Sequence, residues 1–216
     1  MRAAFFDFDH TLIGADSNQL WLEHLDAQGM LPPDALRRHD AYLRDYAAGT
    51  LDFAGLDAFR AGLDASVDPD RLAACRDACV RERLLPALAP RAPGLIRDLH
   101  EQGVLVAVVS ASREALVRPV VQRLGIEHLI AADSSHGAAL AQPCFGTGKV
   151  LHVEHALQSM GLSLRSLQRS WFYSDSHNDL PLLEQVSDPV AVDPDPRLAR
   201  VAQARGWPVV SWREAP

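Results

Sequence analysis

Short apolar runs alternate along this chain with stretches whose apolar residues recur every three or four positions. The runs have the length of β-strands and are apolar nearly throughout, which is typical of strands covered on both faces. The intervening stretches have helical spacing, and strands that alternate with helices predict an α/β fold with a doubly wound parallel sheet. The predicted strands are 3–8, 104–109, 129–132, 170–173, 189–192 and 208–210, and the predicted helices are 93–102, 113–124, 149–160, 179–185 and 196–205.

The segment 14–90 interrupts this alternation, because it contains no convincing strand. Its apolar residues, such as Leu20, Trp21 and Leu25, recur with helical spacing, and prolines and glycines divide it into short pieces. We expect a small all-helical insert directly after the first strand, with a core domain formed by 1–13 and 91–216. The insert would lie over the carboxyl edge of the sheet, where open α/β folds bind their ligands.

Composition narrows the class of protein further. The 216 residues suffice for one packed core and a smaller module, and 48% hydrophobic with 23% charged residues is ordinary for a globular protein. The net charge of −7 provides no basic field, so we expect neither nucleic acid nor a membrane as a partner. No apolar run approaches the ~20 residues that span a bilayer, and no signal peptide is evident. The three cysteines are most simply explained as reduced, buried thiols, so we expect a cytoplasmic protein. We expect it to be a monomer or a homodimer.

The first predicted strand runs directly into two carboxylates, Asp7 and Asp9. Their spacing of two residues places both on the same side where the strand ends. Carboxylates in this arrangement can share a divalent cation, and one can attack a substrate while the other moves protons. An Asp-x-Asp at a strand end can also serve only to close a turn.

Three further polar motifs follow predicted strands or open a predicted helix, and they supply the other parts that phosphoryl transfer needs. Ser110 can donate a hydrogen bond to a phosphoryl oxygen, Lys149 supplies positive charge, and Asp175 with Asp179 adds the oxygen ligands that Mg²⁺ prefers. Each residue alone has an ordinary structural explanation: a helix N-cap, a solvated lysine, or acids near a helix start. Together, the motifs converge on one edge of one sheet.

With these four motifs in order, the chain resembles the haloacid dehalogenase superfamily of phosphohydrolases, and in particular subfamily IB, which is phosphoserine-phosphatase-like. The resemblance covers nearly the whole chain. It implies a Rossmann-like core with a small helical cap of the C1 type inserted after the first strand. It also implies Asp7 as the nucleophile and Asp9 as the general acid/base. The implied phosphate- and substrate-binding residues are Thr11, Ser110, Ala111 and Lys149, and the implied Mg²⁺ site comprises Asp7, the carbonyl of Asp9, and Asp175, supported by Asp179.

The chain departs from the phosphoserine-phosphatase pattern at several positions. His10 replaces a serine in the first motif, and the second motif reads Ser110-Ala111-Ser112 in place of Ser-Gly-Gly. We expect a local structural role for His10. Asp16 stands where the family has a glutamate in the cap. These changes leave the phosphoryl chemistry intact and leave the identity of the substrate open.

The sequence therefore predicts a Mg²⁺-dependent phosphomonoesterase that acts through an aspartyl-phosphate on a small-molecule phosphate ester. Phosphoserine and histidinol phosphate are examples of such a substrate. Asp16 and Arg60 are candidates for recognising its amine or carboxylate, although surface salt bridges or a helix cap would equally explain them. Two alternatives are a phosphotransferase that uses an alcohol acceptor and a non-catalytic phosphate-binding protein on the same scaffold.

Overall fold

A computed structural model describes residues 1–133, 140 and 142–213 of the chain. Six strands form one sheet with the order β3-β2-β1-β4-β5-β6, and every neighbouring pair is parallel. The direction of the strand order reverses between β1 and β4, which is where doubly wound folds place their ligand sites. The strands are β1 Arg2–Phe6, β2 Leu105–Val109, β3 His128–Ile130, β4 Arg169–Ser174, β5 Asp188–Val192 and β6 Val209–Val210.

The core consists of two apolar layers, one on each face of the sheet. Successive residues of β1 point to opposite faces, so Phe5 packs into one layer and Phe6 into the other. Phe6 stacks on Tyr173 of β4, with ring centroids 4.6 Å apart. The predicted α/β class with a doubly wound parallel sheet is confirmed.

Helices cover both faces of the sheet. Helices α5 and α6 contribute Ile96 and Val117 to the layer around Phe6, whereas α7 and α9 contribute Val153 and Leu198 to the other layer. These core helices are α5 Ala92–Glu101, α6 Glu114–Arg123, α7 Thr147–Ser159, α8 Leu180–Leu183 and α9 Pro196–Arg205.

The segment 14–90 is helical, as its spacing predicts. It contains α1 Ser17–Ala27, α2 Ala35–Ala48, α3 Phe53–Ala65 and α4 Pro69–Cys79, followed by a π-turn at Val80–Leu84 and a 3-10 turn at Leu85–Ala87. The chain enters and leaves this segment side by side: the Gly14 amide donates to the Ala87 carbonyl at 2.8 Å, and the Ala89 amide donates to the Leu12 carbonyl at 2.9 Å. Its role as a cap over the sheet edge stays a prediction.

Two predicted elements differ from those observed. The first strand ends at Phe6 instead of residue 8, because the chain turns after Asp7 and His10 takes a left-handed φ of 57°. The helix predicted at 179–185 is the shorter α8, which begins at Leu180 with a proline in its first turn and follows a 3-10 turn at His177–Asp179. Residues 134–139, 141 and 214–216 of the predicted core segment lie outside the described residues. Among the residues that are described, we find no helix both long and apolar enough to cross a membrane.

Candidate active site

The candidate site lies at the carboxyl edge of the sheet, where the strand order reverses. Asp7 directly follows β1 and Asp175 directly follows β4, so parallel pairing brings the two carboxylates together. The Asp7 amide extends this pairing by donating to the Tyr173 carbonyl at 2.9 Å. A cavity of about 580 Å³ opens here, and its walls come from the sheet edge and from α1, α2 and α3.

A fully buried lysine lies beneath the floor of the site. The Lys149 ammonium donates to Asp7 Oδ1 at 2.7 Å and to Asp179 Oδ2 at 2.8 Å, and Ser174 also donates to Asp179 Oδ2 at 2.7 Å. Lys149 is the only lysine in the sequence, and its side chain has no solvent exposure. Burial alone would lower its pKa, but the two carboxylates hold the pKa of Lys149 well above its usual value. The ammonium is therefore a fixed positive charge.

Close packing of the backbone positions this lysine. It lies in the first turn of α7, directly after Gly148. A Cβ atom at Gly148 would collide with the carbonyl oxygen of Pro143, so only glycine fits there without movement of the chain. The glycine thus allows α7 to begin deep in the core.

The carboxylates around Lys149 form a crowded cluster of negative charge. Burial raises the pKa of Asp7 to about 7, with the nearby Asp179 adding to the effect and the Lys149 ammonium opposing it. Burial also raises the pKa of Asp175 to about 9, and repulsion from Asp7 and Asp179 contributes. One lysine does not balance this charge, so a cation near Asp7 and Asp175 would stabilise their ionised forms.

Asp9 is bound on both carboxylate oxygens. Its Oδ1 accepts from the Ser17 amide at 2.6 Å, and its Oδ2 accepts from the Ser112 hydroxyl at 2.5 Å. Asn18 donates to that same hydroxyl at 2.7 Å. Burial and the proximity of Asp16 raise the pKa of Asp9 to about 6, while the hydrogen bonds from Ser112 and Ser17 oppose the rise. A carboxyl group that titrates near neutral pH suits general acid/base chemistry.

Thr11 and Asp179 make contacts that the sequence alone does not predict. Thr11 is buried, donates to Asp175 Oδ1 at 3.1 Å and accepts from the Asp175 amide at 3.0 Å, so it orients Asp175 and does not line the cavity. Asp179 binds Lys149 through Oδ2, and its buried Oδ1 has no hydrogen-bond partner among the described residues. Asp179 therefore positions the lysine. Neither side chain lines the cavity.

The other predicted residues divide into two groups. Ser110 and Lys149 are fully buried behind the cavity surface, and the Ser110 hydroxyl accepts from the Ser112 amide at 3.0 Å, which leaves its proton free to donate. The remaining predicted residues line the cavity: Asp7, Asp9, Asp16, Arg60, Ala111 and Asp175.

Asp16 and Arg60 contribute opposite charges to the cavity wall. Asp16 is the N-cap of α1 and accepts from the Gln19 amide at 2.8 Å, so the helix-cap alternative holds for one of its oxygens. Arg60 is largely buried, with its nearest carboxylate, Asp57, 3.9 Å away. His39, which the sequence analysis missed, lies beside Arg60; burial and this positive neighbour lower the pKa of His39 to about 4, so it is neutral at physiological pH.

An apolar and aromatic wall faces the charged floor. It comes from α2, α3 and their connection, and Phe145, next to the Lys149 turn, packs between two of its rings. The ring centroid of Phe145 lies 4.9 Å from that of Tyr46 and 5.1 Å from that of Phe53. Helical spacing in the sequence predicts that such residues lie on one face of each helix. It does not predict that the apolar faces of α2 and α3 line the cavity at the sheet edge. The wall comprises Tyr42, Leu43, Tyr46, Leu51, Phe53 and Leu56.

His177 lies at the rim of the cavity and has structural partners. Its Nδ1 is 2.9 Å from Asp195 Oδ2, and its Nε2 is 3.1 Å from an Arg197 nitrogen. Asp195 also caps α9, so this trio fixes the loop after β4. Within the described residues, no three His, Cys, Asp or Glu side chains form a metal-binding cluster.

Comparison with known proteins places this chain in a family. The sequence model of the haloacid dehalogenase-like hydrolases matches residues 4–184. The chain is 31% identical to a histidinol-phosphatase of Neisseria meningitidis, an alignment that covers 97% of this chain and 98% of the relative. It is also 31% identical to a probable phosphatase of Mycobacterium tuberculosis, over 97% of this chain and 75% of the relative.

Solved structures agree with this placement. A protein of unknown function from Bordetella pertussis is 37% identical and superposes with a TM-score of 0.86, covering 97% of each chain. A phosphoserine phosphatase solved as a phospho-aspartyl intermediate analogue is 16% identical and shares the fold, with a TM-score of 0.62 over 99% of this chain and 93% of that one. The chain belongs to the haloacid dehalogenase-like hydrolase family. Within it, the chain is a phosphatase.

Proposed function

We propose that the protein is a Mg²⁺-dependent phosphomonoesterase that cleaves a small amino-alcohol phosphate through an aspartyl-phosphate on Asp7. The observation that carries the proposal is the buried Asp7–Lys149 contact at the cavity floor, 2.7 Å long, with Asp9 on the adjoining wall. Lys149 binds only one oxygen of Asp7, and among the described residues no donor occupies the other oxygen. We assign this second oxygen of Asp7 as the atom that attacks an incoming phosphoryl group.

Two carboxylates divide the chemistry. The free oxygen of Asp7 attacks phosphorus, the bond from phosphorus to the alcohol oxygen breaks, and Asp9 gives its proton to the departing alkoxide. Asp9, now ionised, takes a proton from water as the water oxygen attacks the same phosphorus. The bond between phosphorus and Asp7 then breaks, which releases inorganic phosphate and restores both side chains. Lys149 stabilises the negative charge on the phosphoryl oxygens during both steps.

The acidic cluster fits a magnesium ion. Mg²⁺ needs few protein oxygens because it keeps several of its waters, and Asp7, Asp175 and the Asp9 carbonyl would supply them. The raised pKa values of Asp7 and Asp175 mark a place where a divalent cation would stabilise both carboxylates. When bound, Mg²⁺ would neutralise charge on the phosphate and align it with Asp7.

The cavity supports a substrate larger than phosphoserine that carries a ring. Its volume of about 580 Å³ lies within the range of sites for drug-sized ligands, so phosphoserine would leave much of it unfilled. The aromatic wall offers flat surfaces for a ring, and Asp16 offers a carboxylate for an amine. Histidinol phosphate has both groups, and a relative of this chain is named a histidinol-phosphatase.

Steady-state kinetics with a panel of metabolite phosphates test this proposal. We expect the largest kcat/KM for histidinol phosphate, a smaller value for L-phosphoserine, and no turnover of either after chelation. A preference for phosphoserine would refute the assignment of the ring to the aromatic wall. Phosphate release that is undiminished after exhaustive chelation would refute the metal dependence.

A further inference from the structure

Ser112 and Asn18, which the sequence analysis does not include among the catalytic residues, form a chain of hydrogen bonds that ends on Asp9. Ser112 follows β2 and is buried, and its hydroxyl donates to Asp9 Oδ2 at 2.5 Å. The same hydroxyl accepts from the Asn18 side-chain amide at 2.7 Å, and Asn18 is also buried. The direction of donation is therefore fixed along the chain of contacts from Asn18 through Ser112 to Asp9.

We propose that Ser112, oriented by Asn18, is a positioning residue that sets the carboxyl plane of Asp9 for proton transfer to the leaving group. The inference rests on the proposed acid/base role of Asp9. The Ser112 hydroxyl accepts from Asn18 and donates to Asp9, and the backbone of Ser112 is held by its amide, which donates to Ser110 Oγ at 3.0 Å. With Ser17 on Oδ1 and Ser112 on Oδ2, the contacts on both oxygens fix the rotation of the carboxyl group, and Asp9 lines the cavity.

The contacts also tie Asp9 to the segment 14–90. Ser17 and Asn18 open α1, whereas Ser112 belongs to the loop after β2 in the core. A displacement of α1 away from the sheet edge would break the Asn18–Ser112 and Ser17–Asp9 bonds together. The orientation of the proton donor thus depends on the position of α1.

The dependence of kcat/KM on the basicity of the leaving group distinguishes a positioning role of Ser112 from a purely structural one. A purely structural role would lower kcat/KM equally for all leaving groups. When kcat/KM is measured, it reports the step in which Asp7 attacks and Asp9 protonates the departing oxygen. p-Nitrophenolate is weakly basic and departs without a proton, whereas phenolate is more basic and an alkoxide is strongly basic. Phenyl phosphate and p-nitrophenyl phosphate have nearly the same shape, so the ratio of their kcat/KM values isolates the need for a proton from the fit to the cavity.

The experiment compares wild type with Ser112→Ala, Ser112→Thr and Asn18→Leu on p-nitrophenyl, phenyl and alkyl phosphates. Because Ser112→Ala removes one charge-assisted hydrogen bond, we expect kcat/KM for phenyl and alkyl phosphates to fall about tenfold to a hundredfold. The value for p-nitrophenyl phosphate should change less than about threefold. Ser112→Thr keeps the hydroxyl and should restore most of the loss, and Asn18→Leu should show a smaller loss with the same dependence on the leaving group.

Two controls separate the possible failures. Ser170→Ala removes a buried serine hydroxyl at the opposite end of β4, where it bonds with Ser187, and should leave all three rates unchanged. Asp9→Asn should fall about 10²- to 10⁴-fold on phenyl and alkyl phosphates. If Asp9→Asn shows the leaving-group dependence and Ser112→Ala loses activity equally on all substrates, the positioning role is refuted while the acid/base role stands. If Asp9→Asn shows no such dependence, the proposed function itself fails.

Discussion

Replacement of Lys149 by methionine should destabilise the protein strongly. Met is similar in length and apolar, so the variant fills the same space and removes only the ammonium. Two buried hydrogen bonds, of 2.7 and 2.8 Å, are lost at once, and Asp7 and Asp179 are left without a counter-charge. Each charge-assisted bond contributes about 1.5–3 kcal/mol, and loss of one partner of a buried ion pair costs about 3–5 kcal/mol.

We therefore expect the free energy of unfolding of Lys149→Met to fall by about 3–5 kcal/mol at pH 8 without divalent cation. For a domain of this size each kcal/mol corresponds to about 2–4 °C, so the Tm should fall by about 6–20 °C. Chemical denaturation followed by circular dichroism gives the free energy directly. Arg169→Met is the matched control: it breaks a solvent-exposed ion pair with Asp188 and should change the stability little.

The stability that Lys149→Met loses relative to wild type should decrease as the pH falls. The folded-state pKa of Asp7 already lies near 7, above its unfolded value of 3.8, and loss of the ammonium raises it further. The folded variant thus binds protons more readily than the unfolded chain, so it regains stability as the pH falls and the penalty at pH 5 should be smaller than at pH 8. Asp179→Asn added to Lys149→Met should restore part of the loss. An unfolding free energy within 1 kcal/mol of wild type at pH 8 would refute the stabilising role of the buried contacts of Lys149 with Asp7 and Asp179.

Three further predictions concern other parts of the site. Asp16→Ala should shift the substrate preference away from phosphates that carry an amine. The control Asp68→Ala removes an equivalent N-cap from α4, away from the cavity, so it should cost about 1 kcal/mol of stability and leave the substrate profile unchanged. Equal substrate profiles for both variants in a kinetic panel would assign Asp16 a capping role alone. His39 has a folded-state pKa of about 4, below its unfolded value of 6.5, so its contribution to stability is present above pH 6.5 and is lost as the pH falls toward 4. Denaturation of wild type and His39→Gln should reveal a difference of up to about 3 kcal/mol in their loss of stability between pH 7 and pH 4, and parallel pH curves would contradict the burial of a neutral imidazole. Chelation should abolish phosphatase activity, Mg²⁺ should restore it, and Ca²⁺ should restore it poorly because its larger, looser coordination misplaces Asp7; full recovery with Ca²⁺ would argue against a strict octahedral site.

The sequence predicts the scaffold of the site well, for a physical reason. Parallel strands all end at one edge, so motifs that follow buried strands must meet there whatever the loops do. Asp7 and Asp175 need only this rule to be brought together. The prediction of Lys149 as an active-site charge has the same basis, because α7 begins at that edge.

The parts that sequence reasoning missed depend on side-chain direction and on helix packing. Nothing in the spacing shows that Thr11 turns toward Asp175, or that Asp179 turns inward to Lys149. Ser112 lies within a recognised motif, and its departure from glycine was the one available signal of a new contact. The approach of Asn18 to it follows from the position of α1, which periodicity does not give. His39 and the aromatic wall were missed because the helical pattern identifies an apolar face without its neighbours.

The central claim is that Asp7 becomes covalently phosphorylated. The Asp9→Asn variant with Mg²⁺ and p-nitrophenyl phosphate tests it most directly, because this leaving group departs without a proton while the later attack of water lacks its base. We expect a burst of p-nitrophenol equal to the enzyme concentration, slow release of phosphate, and, after acid quench and peptide mass spectrometry, a phosphoryl group on Asp7. Phosphate that is released as fast as p-nitrophenol, with no phosphoryl group on Asp7, would contradict the account.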